Sequence, residues 1–488
     1  MNTLKADFHK ISKWYTNRSS CIFPIDIKRG SDFCLSFLNY WKLKNNIKDI
    51  KLNMRFYDEN GILRNMYERT IKDNHNEIYA TSIVGKSFKG MVDIEFVSTK
   101  NLRYPFPGIT GFYISPNKFV SGVHSAGRIL SSNEISNKNE FIEETNFSLK
   151  FSANNKVYPF FSIFNSFKKE KNPVLIKIYD HKKRLISKKI ISKGLTKPYE
   201  NRIVYLNNIF NSSQLNKAKF CTVKLDNTGI FSRMVCGNYH KKLHHYEVTH
   251  SFPYQKNTFD YISNKYNNNQ VANMTYLPYV KPKTLKLKLR VFPTNLGNKL
   301  KATHFVFNKS KRIFENKGLY LLRPGKEFFD YDSNLNEEEF GYFGIKQKNI
   351  PSRINTSFIY SNKNKNNLSS DIALGFNSIE YPKKNTHWGS FINNNKTSTI
   401  FLIRKIHYYK KKGSSKGTMK FFGKDFKKKI TINLKNDDYK IINFSEIQKN
   451  KVKKNSGISW IFNCNNGEGV EIFWITCNKK FVTGDHSF

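Results

Sequence analysis

The sequence has few acidic residues and lacks the short motifs on which several common enzyme classes depend. Its 488 residues include 37 Asp and Glu but 83 Lys and Arg, which gives a formal net charge of +46. It contains no GxxxxGKS, GxxxxGKT or GxGxxG phosphate-binding motif and no HExxH zinc motif. These absences exclude the nucleotide-binding and zinc-peptidase classes that require those motifs. One segment, "GSSKG" at 413–417, matches the GxSxG nucleophile motif, but its Lys-rich, polar surroundings are typical of a flexible hairpin tip.

Long apolar runs are also missing. No stretch approaches the roughly 18 apolar residues that a membrane-spanning helix requires. The first residues, "MNTLKADFHKISKWYTNRSSCIF", contain no apolar core of a secretory signal. We therefore expect a cytoplasmic location by default, while a cell-surface position reached by another route stays open.

Cysteine is scarce, and its spacing does not suit a zinc ribbon. The six cysteines fall into the pairs Cys21/Cys34, Cys221/Cys236 and Cys464/Cys477. No CxxC pair occurs among them. In a chain of this size without a signal peptide, we expect buried, reduced thiols rather than disulfides.

The positive charge is compatible with a polyanionic partner such as nucleic acid, anionic lipid or acidic polysaccharide. The same charge has a second explanation, because Lys, Asn, Ile, Phe and Tyr are all abundant, as they are in AT-rich genomes. Composition does not choose between a selected partner and compositional drift. The apolar share of 39% is sufficient for real cores, and the length suggests several domains.

An internal repeat is the clearest signal in the sequence. The chain ends on "FVTGDHSF" at 481–488, and similar phrases are "FVSGVHSA" at 119–126 and "YEVTHSF" at 246–252. A second anchor is an aromatic residue before a turn, at Tyr57, Tyr179, Phe307 and Phe422, which spaces the repeats by roughly 120 residues. The third ending falls near residue 374, where "ALGF" replaces the His-containing phrase.

Local patterns within each repeat are typical of antiparallel strands. Segments such as "VLIKIYD", "TLKLKLRVF" and "GVEIFWITC" are short and rich in β-branched or aromatic residues. Turns are supplied by "DENG", "DNTG", "NLGN" and "NNGEG". Only "SNLNEEEFGYF" and "NFSEIQKN" have the composition of a helical turn or two.

We therefore predict an all-β chain of four tandem β-sandwich repeat units, of immunoglobulin-like or jelly-roll type. The predicted boundaries are 1–130 for unit one, 131–256 for unit two, 257–278 for a connector, 279–378 for a diverged unit three and 379–488 for unit four. Asp58 and Asp180 follow the anchor aromatic in units one and two, and a turn-forming role explains both.

The His-Ser endings are the sharpest functional candidates, because imidazole is a common transition-metal ligand and a common catalytic base. Adjacent strand residues point to opposite faces, so His250 and Ser251 in one regular strand cannot form a base and nucleophile pair. His244 shares a strand face with His250 but lies too far away for a compact metal site unless the chain turns. The residues predicted to bind a ligand or to form a seam between units are His124, His244, His250, His387, Trp388 and His486.

We interpret the sequence as a non-enzymatic binding or scaffold protein, because repeated units multiply surface and valency. Its basic, aromatic surface is expected to meet an anionic or carbohydrate polymer, or a protein partner. One alternative is a metal-assisted or His-dependent enzyme acting on glycans or a small polar substrate at a seam between units. That alternative requires a divalent transition metal, with His244 and His250 as its ligands, or a catalytic His, whereas the leading interpretation requires no cofactor. Nucleic-acid binding is a third alternative.

Overall fold

The computed structural model includes strands from all four predicted repeats. It describes residues 16–131, 134, 144–169, 171–225, 229–253, 274–292, 299–308, 310–311, 313–323, 329–333, 339–346, 355–362, 368–375, 386–393, 397–405, 415–434, 439–448, 456–464, 470–478 and 481–488. The chain divides into an N-terminal unit within Asp7–Lys256 and a C-terminal unit within Asn257–Phe488. The two units are described separately.

The first sandwich of the N-terminal unit contains eight strands and two short helices. The strands are β1 Arg18–Ile27, β2 Asp32–Leu38, β3 Lys51–Asp58, β4 Leu63–Thr70, β5 His75–Tyr79, β6 Phe88–Val97, β7 Thr110–Ile114 and β8 Val120–His124, and the helices are α1 Tyr40–Asn45 and α2 Thr81–Val84. One antiparallel sheet has the order β1-β6-β3-β4 and the other β5-β2-β7-β8. Along β3, Leu52, Met54 and Phe56 are fully buried, which is the alternation expected of a strand with one face on the core.

The second sandwich repeats this arrangement with small additions. Its strands are β9 Arg128–Ile129, β10 Glu144–Ser148, β11 Val157–Phe164, β12 Asn172–Tyr179, β13 Leu185–Leu195, β14 Asn201–Tyr205, β15 Phe220–Leu225, β16 Ile230–Phe231, β17 Val235–His240, β18 His245–His250 and β19 Phe252–Pro253, with helix α3 at Ser212–Lys217. The sheets have the orders β13-β12-β15-β10-β19 and β14-β11-β17-β18, and β16 pairs with β9. The core of this sandwich also includes Ile22, Tyr57 and Met91 from the first sandwich, so the two share buried apolar surface.

The C-terminal unit contains the third and fourth sandwiches. The strands of the third are β20 Met274–Lys281, β21 Leu285–Val291, β22 Leu300–Asn308, β23 Ile313–Leu322, β24 Phe329–Ser333, β25 Glu339–Lys346, β26 Asn355–Asn362 and β27 Ser369–Gly375. The elements of the fourth are β28 Thr386–Asn393, β29 Ser398–Lys405, β30 Ser415–Gly423, β31 Phe426–Leu434, β32 Tyr439–Asn443, helix α4 Phe444–Gln448, β33 Ser456–Cys464, β34 Val470–Cys477 and β35 Val482–His486. One buried cluster includes residues of both sandwiches, among them Phe358, Ile372 and Phe473.

All four sandwiches have the same strand order. In each, the first, sixth, third and fourth strands form one sheet, and the fifth, second, seventh and eighth form the other. In the second sandwich this count begins at β10 and leaves out the short additional strands β9, β16 and β19. This identity of topology confirms the all-β class and the fourfold repeat. The connector prediction differs in one respect: β20 begins at Met274, inside the range 257–278, because residues from Met274 onward pair with β25 from Lys346. Residues 257–273 lie outside the described residues.

The turn that follows the third strand is built in the same way in the first two sandwiches. Asp58 Oδ1 accepts hydrogen bonds from the backbone N–H groups of Asn60 and Ile62, at 2.9 and 3.0 Å. Asp180 Oδ1 accepts from Lys182 and Arg184, both at 2.9 Å. The turn-forming role predicted for both aspartates is confirmed, since a carboxylate that binds N–H groups two and four residues ahead closes the turn.

The remaining local predictions have mixed outcomes. All six cysteines are buried and free, as expected. The helical turn expected in "NFSEIQKN" is α4. In "SNLNEEEFGYF", residues 334–338 lie outside the described residues, whereas Glu339 onward belongs to β25 and is not helical. Within the described residues, no helix combines the length and apolar character that crossing a bilayer requires.

Candidate functional site

The endings of the first and second sandwiches lie side by side in the N-terminal unit. The rings of His124, at the end of β8, and His250, at the end of β18, have centroids 4.6 Å apart. Nearby, the backbone N–H of Val248 donates to Ser121 Oγ at 3.0 Å. Two of the histidines selected from the sequence are therefore in contact, on equivalent strands of neighbouring sandwiches.

Protein groups occupy both ring nitrogens of His250. The Arg233 guanidinium lies 2.7 Å from Nε2 and 3.2 Å from Nδ1, and Nδ1 also lies 3.1 Å from the Ser251 carbonyl oxygen. A guanidinium has donors only, so the lone pair that a metal would require is already used. The hydroxyl of Ser251 accepts from the backbone N–H of Met234 at 2.9 Å, which directs it away from His250.

His244 is not part of the strand that contains His250. It has a left-handed backbone with φ of 43° and follows a 3-10 turn, so the chain turns at this position, which is the exception that the sequence left open. Its Nδ1 accepts from Tyr239 Oη at 2.9 Å, and its Nε2–H donates to the carbonyl of Asp26 in the first sandwich at 3.3 Å. Burial lowers the pKa of His244, which keeps the ring neutral. Neither His244 nor His250 has a free nitrogen for a metal.

A buried tyrosine cluster continues this seam. Tyr246 Oη binds the carboxylate of Asp26 and lies 2.6 Å from Tyr205 Oη. Burial, followed by the neighbouring Tyr205 and Asp26, raises the pKa of Tyr246 far above its ordinary value, so its hydroxyl stays a donor. These hydrogen bonds hold the first strand of one sandwich to the last strand of the next.

The other three candidates lie in the fourth sandwich and contact its own ending. His387 Nδ1 and Ser487 Oγ are 2.7 Å apart, and the N–H of Phe488 donates to the carbonyl of Trp388 at 3.0 Å. His486 Nδ1–H donates to the Ser487 carbonyl at 3.0 Å, as His250 does to Ser251. The repeated His-Ser phrase therefore forms the same local hydrogen bond in two sandwiches, and His387 and Trp388 connect the first strand of their sandwich to its end.

A second contact between the first two sandwiches surrounds the turn after β3. The ring of Tyr57 stacks on Tyr199 at 4.4 Å, and Asn201 Nδ2 donates to the carbonyl of Asp58 at 2.7 Å. Gly61 has φ of +79°, and a Cβ there would lie 2.1 Å from the carbonyl oxygen of Pro198. Only glycine satisfies both the left-handed backbone and this close approach.

A polar cleft of about 280 Å³ opens beside this contact. It is lined by Arg18, Arg55, Asp93, Glu95, Ile129, Leu130, Ser131, Phe167 and Tyr199. Asp93 and Glu95 alternate on β6, so both point to the outer face of the sheet, away from the core of the first sandwich. Strand β6 thus supplies two carboxylates, and the neighbouring strands β1 and β3 supply one guanidinium each.

The two carboxylates of the cleft have different environments. Glu95 lies 2.6 Å from Arg18 Nε and 2.5 Å from Arg55 Nη1. Burial alone raises its pKa, but the two guanidiniums outweigh burial and lower it. Asp93 forms a longer ion pair, 3.4 Å from Arg55 Nη1. Burial, followed by the charge of Glu95, raises the pKa of Asp93 to about 6. Asp93 Oδ1 is buried and has no hydrogen-bond partner in the described part of the chain.

Sequence reasoning missed this cleft. The segment "VDIEF" around Asp93 alternates in the way of any strand with one solvated face, and Arg55 in "NMRFY" continues the pattern. These residues differ from ordinary outward-facing strand residues because Tyr199 and Phe167 of the next sandwich line the same cleft. This arrangement is a property of packing between sandwiches, and the local pattern does not contain it.

Neither a protein-family model nor a curated protein matches this sequence. Among solved structures, the full-length major pilin RrgB from Streptococcus pneumoniae aligns over 74% of this chain and 67% of the pilin chain, with 8% identity and a TM-score of 0.11. At that TM-score the alignment carries no argument about fold or function. The fold assignment rests on the strands and their pairing.

Proposed function

We propose that this chain is a non-enzymatic binding scaffold whose outer strands present lysines to an acidic polymer. The fourth strand lies at a sheet edge in every sandwich. In β31 it carries Lys427, Lys428 and Lys429, all exposed, and in β13 it carries exposed Lys188 and Lys189. The basic strands of the second and fourth sandwiches give one chain two such surfaces, which adds valency.

The observation that carries this proposal is the pairing of like charges within these hairpins. Lys420 of β30 lies directly opposite Lys429 of β31. Like charges opposite one another destabilise an antiparallel pair unless a counter-charge is present. Among the described residues, none of Lys420, Lys427, Lys428 and Lys429 has a carboxylate within ion-pair distance, so a bound polyanion is the natural counter-charge.

The histidine geometry supports a binding role over catalysis. The nitrogens of His244 and His250 are engaged by protein groups, and the hydroxyl of Ser251 binds backbone. A nucleophile requires a base within hydrogen-bond reach, and Ser251 does not have one in this arrangement. We therefore interpret the His250-Ser251 ending as part of the framework.

Charge reversal tests the acidic-polymer proposal. Lys427→Glu, Lys428→Glu and Lys429→Glu, combined in one variant, are expected to weaken binding to a sulfated polysaccharide about tenfold or more at low salt. The matched control reverses three exposed lysines in three different sandwiches, Lys86, Lys217 and Lys286, and changes net charge equally. We expect the control to retain most of the affinity, because local charge density governs contact with a polymer.

Titration calorimetry with a sulfated polysaccharide, a neutral polysaccharide and single-stranded DNA measures both variants and the original protein. An equal loss of polysaccharide affinity in the β31 variant and in the control variant would contradict a specific role for β31, because net charge alone would then explain the loss. Preference for DNA over the polysaccharide, lost in the β31 variant, would assign nucleic acid as the polymer.

A second candidate is binding of an extended acidic polypeptide by strand addition. Edge strand β23 exposes Ile313 (52%), Leu319 (61%) and Leu321 (40%). An exposed apolar edge strand is a template for another strand, which gains backbone hydrogen bonds and side-chain contacts. The formal charge of +46 repels a second copy of this chain and favours an acidic partner.

This candidate predicts that Leu319→Asp abolishes binding of a synthetic peptide that alternates Val and Glu. The control is Leu43→Asp in helix α1, since Leu43 is also exposed (36%) but does not lie on an edge strand. Fluorescence anisotropy of the labelled peptide measures the affinity. Binding that is equal in both variants would exclude β23 as the docking strand.

A further inference from the structure

The cleft between the first two sandwiches has the size of a small-ligand site. Its volume of about 280 Å³ is slightly below the range for drug-sized ligand pockets, which begins at roughly 300 Å³, and suits one small ring. It does not include the lysines of the outer strands. Its occupancy is therefore a question separate from polymer binding.

The cleft has unused acceptors and donors. Asp93 Oδ1 is buried without a partner in the described part of the chain, and the Asp93 side chain is only 4% exposed. Arg18 uses Nε for Glu95 and Nη1 for the carbonyl of Ile129, with the Glu134 carboxylate 3.7 Å from that Nη1 and outside the cleft lining. Arg55 uses Nη1 for both carboxylates. Within the described surroundings, the Nη2 groups of both guanidiniums have no protein acceptor.

The charge balance of the cleft selects the class of ligand. Two guanidiniums and two carboxylates line it, so their formal charges cancel. An anion that approaches the arginines also meets Asp93 and Glu95, and a cation that approaches Asp93 also meets the arginines. A neutral group with several hydroxyls avoids both repulsions, because each hydroxyl donates to a carboxylate and accepts from a guanidinium.

Aromatic surface completes the arrangement. Tyr199 lines the cleft and is held in place by its stack on Tyr57 at 4.4 Å. Phe167, also in the lining, is 46% exposed and so offers an accessible ring face to a ligand in the cleft. The apolar C–H face of a sugar ring packs on such a ring while its hydroxyls face the polar wall.

We propose that this cleft binds a single neutral sugar ring, with Asp93 accepting hydrogen bonds from its hydroxyls, Arg18 and Arg55 donating to its oxygens, and Phe167 packing on its face. The ligand is recognised by hydroxyl geometry and not by charge. The proposal does not depend on the acidic-polymer function, and failure of one leaves the other intact.

The test is ligand-observed NMR and calorimetry with glucose, galactose, mannose and N-acetylglucosamine, each added to the full chain. At least one is expected to bind with a Kd below roughly 10 mM. Asp93→Asn removes the acceptor charge and Phe167→Ala removes the exposed ring, and each is expected to weaken that binding about tenfold or more.

The matched control is Phe106→Ala, since Phe106 is another exposed phenylalanine (36%) and lies outside the cleft lining. Its affinity is expected to equal that of the original protein. Because Phe167 is half exposed, its loss does not threaten folding, and this variant keeps the test valid if Asp93→Asn is unstable. The proposal is overturned if no sugar binds, if Phe167→Ala binds as well as Phe106→Ala, or if inorganic phosphate displaces the sugar.

Discussion

Replacing Phe473 by alanine is expected to lower the free energy of unfolding of the C-terminal unit by about 3–5 kcal/mol, the usual cost of removing a buried phenylalanine side chain. Phe473 belongs to the fourth sandwich and is 2% exposed. Its ring lies 5.8 Å from Phe358 and 6.3 Å from Tyr360, both on β26 of the third sandwich. Its loss therefore opens a cavity between two sandwiches.

Denaturant unfolding of the full chain, followed by circular dichroism of the β-structure together with tryptophan fluorescence, measures this effect. Fluorescence reports the fourth sandwich, which contains Trp388, Trp460 and Trp474, whereas circular dichroism also reports the third, which has no tryptophan. We expect the third and fourth sandwiches to unfold together in the original protein and separately in Phe473→Ala, because the shared cluster couples them. Phe401→Ala is the control: Phe401 is fully buried but contacts Trp460 of its own sandwich, at 5.4 Å. If both variants retain a single transition, the shared cluster does not provide the coupling.

Acid is expected to destabilise the N-terminal unit through His245. This histidine is 2% exposed, and burial, with the neighbouring His240 next, lowers its pKa to about 3. In the unfolded chain its pKa is about 6.5, so the unfolded state binds more protons between these values. The stabilising contribution is complete above about pH 6.5 and is lost as the pH falls toward 3, at about 1.4 kcal/mol per pH unit.

Between pH 6.5 and pH 5, His245 is expected to account for a loss of about 2 kcal/mol. Asp93 acts in the opposite direction, because its pKa is raised to about 6 and its protonation favours the folded state. Comparison with His245→Phe isolates the histidine, and His181→Phe on an exposed turn is the control. An equal pH dependence of unfolding in His245→Phe and the original protein would contradict this assignment.

The repeat could be predicted from the sequence because its anchors obey local rules. An aspartate after Tyr57 or Tyr179 binds the backbone N–H groups of its own turn, and that chemistry is present in a few consecutive residues. Alternation of apolar residues along strands such as β3 is equally local. Two copies of this aspartate, four copies of the anchor aromatic and the strand alternation were sufficient for the fold class and for the number of sandwiches.

The functional residues were harder to predict because they depend on contacts between sandwiches. Asp93 looks like an outward strand residue, and only the second sandwich makes it a buried group. The residue type of His244 does not predict its left-handed backbone either. That backbone conformation separates His244 from the strand that contains His250.

The histidine endings illustrate the limit of motif reasoning in this chain. Recurrence at the end of several repeats suggested a site, and imidazole chemistry offered metal binding as one explanation. In the structure, His250 and His486 each donate to the carbonyl of the following serine. A residue that closes the last strand of a sandwich recurs because the strand recurs, and no ligand is required to explain it.

The salt dependence of polysaccharide binding tests the central claim most directly. The account predicts that the logarithm of the affinity for a sulfated polysaccharide falls linearly with the logarithm of salt concentration, since lysines displace counterions from the polymer. In the variant with Lys427→Glu, Lys428→Glu and Lys429→Glu, the slope is expected to become shallower by roughly one for each lysine. An unchanged slope with unchanged affinity in that variant would contradict the proposed role of the outer strand.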